Sequence, residues 1–125
     1  MRKLLVIIGL ISLIGYIVIK GNTSVGTSYY EVTSNRLPGS FNGYKIVQLS
    51  DLHDAMFGEN HGDIVDIVKE VNPHAIFITG DFIDRNRYDL EQSLLLVKEL
   101  QHVAPIYYVT GNHEYYTQRP MNEED

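Results

Sequence analysis

What most constrains the fold is a unit of apolar strand followed by polar cluster, which recurs three times at one interval. Lys45–Ser50 (KIVQLS) runs into Asp51-Leu52-His53, His74–Thr79 (HAIFIT) into Gly80-Asp81, and Ile106–Thr110 (IYYVT) into Gly111-Asn112-His113-Glu114. Asp51, Asp81 and Asn112 are spaced by 30 and 31 residues, the length of one βα unit. Helical patterns fill the gaps. Ile64, Val65, Ile67, Val68 and Val71 share one face of a segment that starts near Asp63 and is stopped by Asn72-Pro73. Leu90, Leu94, Val97 and Leu100 mark a second helix, with Asp89 and Gln92 spaced as a capping box. Strand, helix, strand, helix, strand predicts an α/β fold of βαβαβ type, with parallel strands and right-handed crossovers.

Strand direction then says where the polar residues go. Parallel strands deliver their C-terminal ends to one edge, and ligands bind in the crevice there. Two carboxylates (Asp51, Asp81), two imidazoles (His53, His113), the Asn112 amide and the Glu114 carboxylate are expected to meet at that edge. Oxygen ligands with some imidazole suit Mn, Fe or Zn. The chain has no cysteine, which excludes thiolate sites and disulfides. In extended backbone Asp51 and His53 would point to one face, and Gly80 and Gly111 would ease the chain off its strands. Carboxylates this close repel one another unless a cation sits between them. Singly, each cluster has a plainer reading: Asp-Leu-His arises by chance, and Gly-Asp is an ordinary turn. Three in order, each after a strand, point to a metal site.

Asp51-Leu52-His53, Gly80-Asp81-Phe82-Ile83-Asp84 and Gly111-Asn112-His113-Glu114 together resemble the first three motifs of the calcineurin-like metallophosphoesterases. The leading apolar segment is similar to the membrane-associated bacterial branch of that family. The resemblance covers about residues 44–116. It implies the N-terminal half of a four-layered αββα sandwich and metal-dependent hydrolysis of phosphoesters. It also implies two divalent ions (Mn, Fe or Zn): Asp51 and His53 on the first, Asp81 bridging, Asn112 on the second. An attacking hydroxide would be held between the ions, and His113 would contact phosphate and protonate the leaving oxygen. His113 is expected to stay protonated beside Asp81 and Glu114. Glu114 is expected to orient His113 or a ligand, and Asp84 to cap a turn or support Asp81. Asp54, Glu59 and His61 fall in the loop after the first motif, where solvated surface is the plainer reading and substrate contact the sharper one.

The N-terminus adds a second constraint. Arg2 and Lys3 precede an uncharged run, Leu4 to Ile19, closed by Lys20. As a helix its sixteen residues span about 24 Å, against roughly 30 Å of bilayer hydrocarbon. The expectation is a single-pass transmembrane anchor over residues 1–20, N-terminus inside, so that the remainder is extracytoplasmic. A cleaved signal with a weak site at Ser24-Val25-Gly26 and a buried soluble helix are the alternatives. A polar linker (residues 21–28) and a partial domain (residues 29–125) follow, with Tyr29–Ser34 expected as a strand. A phosphoester substrate, lipid-linked if the anchor holds, is the expected partner. A formal charge of −6 and a pI near 5.2 argue against nucleic acid.

The family pattern continues with two histidine motifs, the last Gly-His-x-His, that this sequence does not contain. His74 and His102 precede strands and belong at the opposite edge. The chain is therefore expected to be a truncated copy. The alternatives are self-association through an uncovered sheet face, or a non-catalytic, membrane-tethered module that holds metal or ligand.

Overall fold

The computed structural model describes residues 2–86 and 89–117. In chain order the elements are α1 (Arg2–Thr23), β1 (Ile46–Leu49), α2 (Gly62–Val71), β2 (Ala75–Thr79), α3 (Leu90–Leu100), β3 (Ile106–Val109) and α4 (Asn112–Tyr116). Short 3-10 turns occur at Gly39–Phe41 and Glu59–His61. The three strands form one sheet in the order β1-β2-β3, both pairings parallel, with Val47 beside Ile76 and Phe77 beside Tyr107. The βαβαβ reading is thus present, with each strand within a residue or two of its expected ends.

Alternation along the strands divides the sheet into two faces. Ile76 and Ile78 of β2 are fully buried against Ile64, Val65 and Val68 of α2 and Leu96 and Leu100 of α3. Burying aliphatic side chains of this size contributes about 1.5–3 kcal/mol each. On the opposite face Ile46, Phe77, Tyr107 and Val109 are exposed. There Phe77 and Tyr107 stack edge to face at 5.5 Å, and Gln48 Nε2 donates to Thr79 Oγ1 at 2.8 Å. The described residues thus supply a helix layer and a sheet layer.

Three expectations need correction. First, α3 is rotated from its expected face: Ser93, Leu96 and Leu100 are buried, whereas Leu90 and Leu94 are exposed. The Ser93 hydroxyl turns inward because it has polar partners there, Asp54 Oδ1 at 2.6 Å and the Phe82 carbonyl at 3.0 Å. Second, the Asp89 side chain makes no cap hydrogen bond, so the capping box does not form. Third, Tyr29–Ser34 forms no strand, with Tyr29 and Tyr30 80% and 89% exposed and no strand paired to them.

The N-terminal segment was expected to be a membrane anchor. Residues 2–23 do form one helix, and its described apolar side chains, such as Leu4 and Ile11, are exposed. Yet among the described residues no helix is long and apolar enough to cross a membrane. Residues 118–125 of the expected domain lie outside the described residues.

Candidate metal centre

The chain leaves β1 and β2 by an unusual route. Asp51, His53, Asp54 and Asp81 all have positive φ (57°, 51°, 53° and 49°). This left-handed conformation costs an L residue about 1–3 kcal/mol, and it persists where surrounding bonds enforce it. Here they are main-chain bonds between the two loops. Asp51 N–H donates to Gly80 O at 3.2 Å, His53 N–H to Asp81 O at 3.0 Å and Asp54 N–H to Phe82 O at 3.1 Å. The first loop therefore coils beside the second, and the extended Asp51–His53 segment expected from the spacing is not what forms.

Two glycines let the β2 and β3 loops touch. Gly80 has φ +93°, and a Cβ there would lie 2.7 Å from the Gly111 backbone. A Cβ on Gly111 would meet the Asp81 backbone nitrogen at 2.5 Å. Gly111 is thus needed for close approach and not for its own dihedral, since its φ is −99°.

These contacts converge three donors. His53, Asp81 and His113 each offer one ligand atom, and the three atoms lie within 4.8 Å of one another. The His53 and His113 rings meet edge to face at 4.4 Å, and Asp81 Oδ1 accepts the His113 backbone N–H at 2.8 Å. Buried His53 Nδ1 has no hydrogen-bond partner, which leaves a ring nitrogen unsatisfied at the site. Two imidazoles and a carboxylate form a donor set that fits Mn, Fe or Zn. Asp51 sits at the rim, 65% exposed, with Oδ1 3.9 Å from His53 Nε2 and Oδ2 accepting from Ser50 Oγ at 2.5 Å. Asn112 opens α4 at the same edge and is exposed. The group within 4.8 Å therefore contains His113 and leaves out Asp51.

The Arg85 backbone N–H lies 3.4 Å from His113 Nδ1.

Glu114 does something other than orient His113. Its Oε2 accepts N–H groups from Asp81 (2.9 Å) and Gly111 (2.7 Å), and its Oε1 from Phe82 (2.6 Å) and Ile83 (3.3 Å). Burial alone would push this carboxyl up. The N–H groups of Glu114 itself, Gly111, Phe82 and Ile83 outweigh burial and bring it down to about 2. Tyr108 lies against the same carboxylate. Burial first, then the charge of Glu114, the hydrogen bond to it and the charge of Asp81 push the phenol up to about 12.

Asp84 is buried, donates its N–H to Asp54 Oδ2 at 2.7 Å and accepts from Asn86 N–H at Oδ1, also at 2.7 Å. Asp54 Oδ2 takes a second N–H, from Asp89 at 3.0 Å. Sequence reasoning placed Asp54 on a solvated loop and passed over Ser93 and Tyr108. Asp54 meets Asp84 across 30 residues and Ser93 across 39, and no local pattern announces such contacts. His74 sits at the far edge as expected, its Nδ1 accepting Lys45 N–H at 3.0 Å.

A parallel βαβαβ unit with imidazole and carboxylate donors at its strand ends defines an α/β protein with a candidate metal centre. A family model described as calcineurin-like phosphoesterase matches residues 44–125, and the chain belongs to that family. A "transmembrane protein with metallophosphoesterase domain" from Bos taurus is 38% identical over 94 residues, covering 74% of this chain and 21% of that protein. The Danio rerio protein of the same name is 35% identical over 92 residues, covering 70% and 20%. An uncharacterized metallophosphoesterase of Bacillus subtilis is 30% identical over 95 residues, covering 73% and 33%. The chain thus spans between 20% and 33% of the length of these relatives. No solved structure matches it significantly.

Proposed function

We propose that this chain carries the metal-binding edge of a phosphoester hydrolase. The observation that supports it most is the convergence of His53, Asp81 and His113 donor atoms to within 4.8 Å at the C-terminal edge of a parallel sheet. Family membership supports the reaction class. His53 and Asp81 would hold a divalent cation, with Asp51 and Asn112 at the same edge to complete a pair of sites. When bound, such cations supply Lewis acidity toward phosphoryl oxygens and make water a nucleophile at neutral pH.

The remaining work falls to the chain. His113, at the same edge beside Asp81, would in its imidazolium form protonate the leaving oxygen as general acid. Glu114 keeps Asp81 in its strained conformation through the main chain. The name of the two vertebrate relatives supports a membrane setting for the substrate, which a lipid-linked phosphoester would meet.

Hydrolysis of an aryl phosphodiester with added Mn²⁺ tests the reading. Turnover should vanish in Asp81→Ala, and His113→Ala should lower kcat by about 10²–10⁴-fold, the usual worth of a positioned general acid. Mn²⁺-independent turnover, or wild-type rates in Asp81→Ala, would contradict it. A second reading, a module that holds metal without catalysis, is favoured by the small donor group, three residues among those described. It predicts Mn²⁺ binding with no turnover.

A further inference from the structure

We infer that Asp54 is a positioning residue of the metal centre: its carboxylate collects the Asp84 and Asp89 N–H groups and the Ser93 hydroxyl, fixing the loop after β2 beside His53. The inference rests on the metal-centre reading above.

Two carboxylates divide the N–H groups of this loop between them. Glu114, arriving from β3, takes those of Asp81, Phe82 and Ile83. Asp54, arriving from β1, takes those of Asp84 at 2.7 Å and Asp89 at 3.0 Å, both on Oδ2. Its Oδ1 accepts from Ser93 Oγ at 2.6 Å, and its own N–H donates to Phe82 O at 3.1 Å. Four consecutive N–H groups, from Asp81 to Asp84, are thus held from both flanks. Asp81 sits at the start of that run with φ 49°, a conformation L residues avoid unless held. Asp54 also immediately follows His53, so one residue ties the β1 donor to the β2 donor.

The same geometry argues against a direct role for Asp54 on substrate or metal. Both lone pairs of Oδ2 are committed to fixed backbone donors, and Oδ1 is engaged by a buried serine. Ser93 has one proton and two acceptors within reach, Asp54 Oδ1 and Phe82 O at 3.0 Å. An asparagine at 54 would satisfy the whole network. Its oxygen would face the two N–H groups, its amide would donate to Ser93 Oγ, and the serine would donate to Phe82 O. Hydrogen bonding and charge can therefore be separated by one isosteric change.

The experiment compares wild type, Asp54→Asn and Asp54→Ala in the full chain, by Mn²⁺ titration calorimetry and by amide hydrogen exchange. Asp54→Asn should keep Mn²⁺ affinity within about threefold of wild type, whereas Asp54→Ala should weaken it about 10–100-fold, as loss of a supporting partner does. Exchange at the Asp84 and Asp89 amides should accelerate in Asp54→Ala alone, with Ile76 and Ile78 unchanged. Equal weakening in both variants overturns the inference, because the charge itself would then be acting. Faster Asp84 and Asp89 exchange with wild-type Mn²⁺ affinity also overturns it, since the role would be structural only. Should Asp54→Ala lose the Ile76 and Ile78 protection too, Asp54→Asn decides: a match to wild type in both readouts supports positioning, and a tenfold loss overturns it. A wild-type chain that binds no Mn²⁺ sinks the metal reading and the inference with it, while faster Asp84 and Asp89 exchange in Asp54→Ala alone would still show that the clamp exists.

Discussion

At the scale of single residues, the centre is held by groups whose importance lies in what they accept. Glu114 takes four backbone N–H groups. Its folded-state carboxyl lies near 2, against 4.5 for a free glutamate, so the unfolded chain takes up the proton first as pH falls. Its contribution is present above pH 4.5 and is lost as pH drops toward 2. Urea unfolding should show wild-type stability falling across that window and a flatter profile in Glu114→Gln. At pH 7 the variant should be less stable by about 1–3 kcal/mol, because its amide faces N–H donors it cannot accept from. Gly80→Ala should cost at least as much, since it combines a left-handed φ with a Cβ 2.7 Å from Gly111. Thermal unfolding measures both. The chemistry of these residues was legible in the sequence, because polar clusters at strand ends leave few other roles. Their partners were not. Nothing near Asp54 or Glu114 in the chain says that each would bind main-chain donors of the loop between β2 and α3.

At the scale of elements, direction and order could be read ahead, and rotation could not. Apolar periodicity located α2 and α3, yet on α3 it chose Leu90 and Leu94, which are exposed, over Ser93 and Leu96, which are buried. Five leucines in an eleven-residue helix leave several nearly equal faces, and the Ser93 hydrogen bonds choose among them. The junction of the 59–61 turn with α3 carries another hidden contact. His61 is fully buried, with Nε2 3.0 Å from the Gln92 carbonyl and Nδ1 unpartnered. Burial lowers its affinity for a second proton, partly offset by Gln92 O. Because the unfolded histidine gains its proton near 6.5 while the folded one resists, stability should decline as pH falls below about 6.5. Denaturant midpoints at pH 7.5 and 5.5 check this, and His61→Gln should lessen the difference while lowering stability at both.

At the scale of the whole molecule, one parallel sheet does two jobs. It buries Ile76 and Ile78 beneath α2 and α3, and it sends three loops to one edge, where His53, Asp81 and His113 meet. The opposite sheet face, with Phe77 and Tyr107, stays exposed, and the N-terminal helix stands with its described apolar side chains uncovered. Both were legible as surplus apolar sequence; what the helix does beyond forming was not, because a run of sixteen uncharged residues falls between a buried helix and a full membrane span. The central claim is that strand direction creates a cation site at this edge. Paramagnetic broadening by Mn²⁺, followed residue by residue by NMR, tests it most directly. Saturable broadening centred on His53, Asp81 and His113, abolished in Asp81→Asn, is the predicted result. Broadening spread over surface acids such as Asp66 and Glu70, unchanged by that substitution, would contradict it.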